Sequence, residues 1–127
     1  MAALGLGACT ASVFDLEPGD CIGDPGVGNV EAVEVVDCSE EHSYEVYANL
    51  TVPDDVGLAG AEAYALEGCY DAFAPYVGTE FESSAFNFTW LEPTAESWEQ
   101  RNDRTVNCML FEAQSGLSTG SARGSGR

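Results

Sequence analysis

Five cysteines stand at positions 9, 21, 38, 69 and 108 of a 127-residue chain, and their spacing constrains the fold more than any other feature. There is no C-x-x-C pair, and His42 is the chain's single histidine. Structural zinc sites draw on close ligand pairs, so the pattern suits zinc poorly. Widely spaced cysteines in a small domain read instead as a disulfide framework, formed outside the cytoplasm where thiols are not kept reduced. Four can pair in three ways, and the odd count leaves one over.

The leftover residue is Cys9. It closes Leu6-Gly7-Ala8-Cys9, which resembles the lipobox of bacterial lipoproteins: leucine, two small residues that let a peptidase reach the backbone, then the cysteine. Two acyl chains on such a thiol anchor a protein stably where one binds marginally. Only eight residues precede Cys9, with no basic stretch and too few apolar residues for a signal. Residues 1–12 are therefore expected to be a truncated lipoprotein signal and tether outside the fold. No run of 18 or more apolar residues exists to span a membrane.

The remainder is long enough for one domain with a core. Hydrophobic residues make up 45% of the chain, which argues against global disorder. Twenty-two acids face four arginines and no lysine, a net charge of −18. Such a surface repels phosphate backbones and anionic headgroups, which disfavours nucleic-acid partners.

Hydrophobic periodicity divides the chain further. "VFDLEPGDC" (13–21) predicts an extended segment ending at a Pro18-Gly19 turn. "IGDPGVGN" (22–29) is a glycine-rich loop that lacks the GK[ST] of a phosphate loop. "VEAVEVV" (30–36) and "SYEVYANL" (43–50) read as strands. In the second, alternation places Tyr44, Val46, Ala48 and Leu50 on one face and Ser43, Glu45, Tyr47 and Asn49 on the other. From Leu58 to Tyr76 the period becomes helical. Ala59, Ala63, Leu66, Cys69, Tyr70, Phe73 and Val77 form the expected core stripe, weakened by Gly68 and ending near Pro75 and Gly78. "AFNFTWL" (85–91) and "RTVNCMLFEA" (104–113) complete the strands. Between them Thr94 is positioned to cap a short helical turn anchored by Trp98. Residues 114–127 are Gly/Ser-rich and predict a mobile tail. Strands around one main helix give an α+β domain over residues 13–113: a small antiparallel sheet packed against that helix, stapled by two disulfides.

Taken in order, "PGDC", "VDCSEEHSYEV", "CYDAFAPYVG", "PTAESWEQRNDRTVNCML" and "TGSARGSGR" resemble the septum formation family of actinobacterial proteins. The shared pattern is GDC, C-x3-H-x2-EV, a helix bearing C-x3-F, PT-x3-W, an R-x-V-x-C strand and a terminal GS, from Val13 to Arg127. Asn102 stands where glycine is expected, a substitution that tolerates a left-handed turn. Gly68 stands where alanine would be more useful. The resemblance implies an extracytoplasmic domain tethered to the membrane by a helix or a lipid, and a name connected with cell division. It implies no known reaction.

With this order of elements, Cys21 is expected to pair with Cys38, closing a loop between neighbouring strands. Cys69 would pair with Cys108, tying the helix to the last strand. His42 then has four readings. As a metal ligand beside Cys38 and Glu45 it meets unfavourable strand geometry, since residues four apart lie roughly 13 Å from one another along a strand. As a catalytic base it lacks a recognisable nucleophile elbow. It could act as a pH switch, or it could pin the turn after Cys38, which is the reading preferred.

The expectation is a non-enzymatic envelope module without cofactor or metal, anchored through Cys9 to the outer face of the cytoplasmic membrane. It would bind an envelope or division protein. The alternative is a small-ligand or cation sensor using the acidic loops "PDD" (53–55) and "CSEE" (38–41), which lack the spaced ligands of a calcium loop.

Overall fold

A computed structural model describes residues 9–26 and 30–127. Strands β1 (Cys9–Ser12), β2 (Cys21–Ile22), β3 (Ala32–Val36), β4 (Tyr44–Thr51), β5 (Phe86–Leu91) and β6 (Thr105–Glu112) form one sheet, with helices α1 (Ala61–Val77) and α2 (Ala95–Gln100) between strands. The order across the sheet is β1-β3-β2-β4-β6-β5, and every neighbouring pair is antiparallel. The α+β class and the sheet-on-helix packing are as expected. Both disulfides form as paired above: Cys21–Cys38 joins β2 to the turn after β3, and Cys69–Cys108 ties α1 to β6.

The face of β4 departs from simple alternation. Val46 lies opposite Met109 and Ala48 opposite Cys108, so Tyr47 is an extra residue in the ladder. This bulge turns Tyr47 to the same side as Ala48 and Leu50, against α1, where its hydroxyl donates to the Cys69 carbonyl at 2.6 Å. Tyr44 and Val46 pack on the opposite side with Ile22 and Met109. A bulge reverses the phase of everything on one side of it, and alternation alone does not reveal it.

Helix α1 also sits differently from its expected stripe. Its buried residues are Ala61, Ala65, Cys69, Phe73 and Val77, four apart throughout, whereas Ala63, Leu66 and Tyr70 face outward. Small residues let the helix approach the sheet closely, and that approach outweighs the greater apolar area of Leu66 and Tyr70. Gly68 belongs to the same contact: a Cβ there would meet Leu50 Cδ1 at 2.5 Å. Pro75 lies inside the last turn, and the helix stops at Gly78 in a left-handed conformation. Thr94 caps α2 in a reciprocal capping box with Ser97, and Asn102 adopts the left-handed turn (φ 55°) that leads into β6.

Both chain ends differ from the expectation. Residues 9–12 are not outside the fold but pair with β3, Cys9 lying opposite Val35. Leu6, Gly7 and Ala8, the residues of the expected lipobox, lie outside the described residues, as does the 27–29 part of the glycine-rich loop. Residues 114–127 form a strap fastened by its backbone. The N–H groups of Gly120, Gly124 and Gly126 donate to the carbonyls of Cys38 (2.6 Å), Tyr76 (2.8 Å) and Val77 (2.8 Å). Ala122 enters the α1-side core. All three glycines have positive φ, so the composition that resembles a linker here supplies the sharp turns of a docked segment.

Candidate functional site

The turn after β3 is built by its own acid. Asp37 Oδ1 accepts from the Ser39 amide (2.9 Å) and hydroxyl (2.8 Å), contacts that hold its carboxyl below the usual range. The turn returns Cys38 to Cys21 and delivers His42, 4% exposed, to the start of β4. His42 exchanges two backbone hydrogen bonds with Ser118 of the strap, each 2.9 Å, while its Nδ1 donates to the Glu40 carbonyl at 2.8 Å. Among the described residues no hydroxyl or thiol is hydrogen-bonded to the ring.

Sulfur of Cys21, a ring nitrogen of His42 and a carboxylate oxygen of Glu45 lie within 4.8 Å of one another. The pairing of β2 with β4 sets Cys21 opposite Glu45, a contact that spacing along one strand does not show. The trio has the composition of a metal site, but two of its three members, Cys21 and Glu45, are committed to other bonds. Metals take the thiolate form of cysteine, and the Cys21 sulfur is bonded to Cys38. Neither "PDD" nor "CSEE" gathers three ligands among the described residues. Asp54 instead pairs with Arg104 at 2.8 Å.

Glu45, weighed from the sequence only as a metal partner of His42, has a different role. It is 1% exposed, and its carboxylate accepts three hydrogen bonds: from the Tyr76 hydroxyl (2.5 Å), the Ser121 hydroxyl (2.7 Å) and the Ala122 amide (2.8 Å). One side chain thus joins β4, α1 and the strap. The signal was an acid inside an apolar strand, spaced from His42 by the H-x2-EV motif. Burial, then the bond to Glu45, pushes the Tyr76 hydroxyl up to about 12. Arg123 lies over the Tyr76 ring at 5.0 Å and closes the cluster. Chemically this is a clamp, with its acceptors already occupied.

Two surfaces remain open. On the outer face of α1, Leu66 is 55% and Tyr70 43% exposed. The Tyr70 hydroxyl donates to Glu82 and its ring meets the Phe81 edge at 5.9 Å, so the side chain is held in place. Glu62, Glu67, Asp71, Glu80 and Glu82 are all exposed on α1 and the turn that follows it. The four arginines, at 101, 104, 123 and 127, belong to other elements.

The second is a cavity of about 520 Å³ on the sheet face opposite α1, bounded by the Val13–Asp15 turn, α2 and the ends of β5 and β6. Val13, Phe14, Leu91 and Pro93 supply apolar wall, and Thr105 and Asn107 come from β6. Arg101 stacks on Phe14 at 4.0 Å, and Ser97 donates to Asp103 at 2.9 Å, fixing α2 as one wall. Cys9 stands apart from both surfaces, exposed and unpaired at the start of edge strand β1.

Residues 18–126 match the family described as Septum formation. The chain is 33% identical over 123 residues to "Putative lipoprotein LppN" of Mycobacterium tuberculosis (strain ATCC 25618 / H37Rv), an alignment covering 91% of this chain and 67% of that protein. It is 29% identical over 112 residues to "Uncharacterized membrane protein Rv3835" of the same strain, covering 79% of this chain and 25% of the relative. No solved structure matches the chain.

Proposed function

Because the chain belongs to the septum formation family, we propose that it is a non-enzymatic, lipid-anchored adaptor that docks a partner protein on the outer face of α1. It is an extracytoplasmic envelope protein, in keeping with its two disulfides and its lipoprotein-named relative. The anchor is assigned to Cys9, acylated on the thiol. Since β1 begins at Cys9 itself, the anchored domain would lie close to the outer face of the cytoplasmic membrane.

The observation that carries the docking role is the exposed pair Leu66 and Tyr70, one helical turn apart on a helix covalently tied to the sheet. Tyrosines held in place by their surroundings are frequent interface anchors. The surrounding acids select an envelope or division protein that presents a basic rim around an apolar knob.

The test replaces Leu66 in cells with a photo-crosslinking residue and follows membrane fractionation of a Cys9→Ser variant. A defined adduct with a basic envelope protein, lost in Tyr70→Asp and in Cys9→Ser, is expected. Adducts unaffected by Tyr70→Asp would refute the docking face. Unchanged membrane retention of Cys9→Ser would refute the anchor.

A further inference from the structure

We infer that the cavity on the opposite face of the sheet is a binding site for a small organic amine with an apolar body. This inference is independent of the docking role of α1, from which the sheet separates it.

The cavity has the size of a small-molecule site: about 520 Å³, where such sites span roughly 300–1,000 Å³. Its floor carries an acceptor without a donor. Asn107 is 5% exposed, and its Nδ2 donates to Asn49 Oδ1 at 2.8 Å, while Asn49 Nδ2 donates to the Leu16 carbonyl at 2.8 Å. The chain of amides thereby fixes which way Asn107 points, leaving Oδ1 as the free end. Among the described residues nothing donates to Asn107 Oδ1, yet no fully enclosed side-chain oxygen lacks a partner. The oxygen therefore keeps access to open space, and the space that Asn107 lines is the cavity. An acceptor facing that space bonds water when the site is empty, and a ligand donor placed there would replace that water bond for bond.

The rim repeats the same preference. Glu31 and Glu96 line the cavity, and no hydrogen bond from a described residue reaches either carboxylate. Glu92 and Asp103 add two more negative charges, Glu92 accepting from Trp90 Nε1 and Asp103 from the Ser97 hydroxyl and the Thr105 amide. Arg101 is the cation among the lining residues, and its guanidinium is spread over the Phe14 ring. Four carboxylates against one guanidinium favour a cation over an anion. Val13, Phe14, Leu91 and Pro93 offer apolar wall for the rest of the molecule. The complementary ligand is an ammonium or amine donor on a compact aromatic body.

The test uses the isotopically labelled full chain, titrated with 2-phenylethylamine and, separately, with its anionic counterpart 3-phenylpropanoate. Nα-acetyl-lysinamide serves as a third probe that carries the amine as a protein lysine would. The expected result is a saturable shift of the Asn107 side-chain amide and of the Val13 and Leu91 resonances with the aromatic amine. Binding of the other two probes should be on the order of tenfold weaker or more. Glu31→Gln with Glu96→Gln, both on the exposed rim, should weaken the amine by on the order of tenfold without altering the fold. Equal binding of the carboxylate would overturn the assignment, as would unchanged affinity in the double variant. Equal binding of the lysine derivative would move the ligand to a partner protein and overturn it too. A shift that fails to saturate by about 10 mM, below any useful affinity, would do the same.

Discussion

Glu45→Gln should release the C-terminal strap while leaving the sheet intact. The carboxylate accepts three hydrogen bonds in a site 1% exposed. A bond to a charged acceptor contributes about 1.5–3 kcal/mol and a neutral one about 0.5–1.5, so neutralisation removes roughly 1 kcal/mol per bond. The glutamine keeps its oxygen toward the Ala122 amide, because the reverse orientation would oppose two donors. Its NH2 then faces the Tyr76 and Ser121 hydroxyls, which must turn to accept. The net loss is about 2–3 kcal/mol, or roughly 10 °C in Tm for a domain of this size. It cannot greatly exceed the free energy that docks the strap, since a freed strap regains its hydration. Hydrogen exchange resolves the two levels: the amides of Ala122, Gly124 and Gly126 should lose protection, while those of β6 keep most of theirs. Strap amides as protected as in the parent, with stability lowered by less than about 0.5 kcal/mol, would refute the clamp.

Alkaline titration gives a second check. The folded-state value of Tyr76 lies near 12 against an ordinary 10, raised by burial first, and Tyr47 is raised by burial as well. The folded state therefore prefers both phenols protonated. Their stabilisation is fully present below about pH 10 and is lost as pH rises toward 12, which tyrosinate absorbance and circular dichroism should show together. Tyr76→Phe should flatten that loss. The disulfides close loops of 17 and 39 residues. Loop entropy assigns about 3 and about 4 kcal/mol to them, so urea unfolding should find Cys69→Ala with Cys108→Ala the more damaging double variant. Thr94→Ala removes the capping box of α2 and should cost about 1 kcal/mol in the same assay.

Much was legible from sequence because it depends on local chemistry. The cysteines separated cleanly into two bonded pairs and an exposed Cys9, and Thr94 and Asn102 occupy the cap and left-handed turn their side chains favour. The strand–helix alternation, the family motifs and the antiparallel class were likewise carried by periods and spacings a few residues long. Tertiary structure decided what depends on close approach between distant segments. The helix buried Ala61, Ala65 and Cys69 rather than Leu66 and Tyr70, because contact distance to the sheet outweighed side-chain area. The bulge at Tyr47 shifted the phase of β4, a consequence of pairing with β6. Residues 114–127 carry the composition of a linker. What docks them is a single buried acid 77 positions before Ala122, together with carbonyls left open by α1 and the Cys38 turn. A backbone hydrogen-bond partner has no side-chain signature, so only the assembled fold reveals where these glycines go.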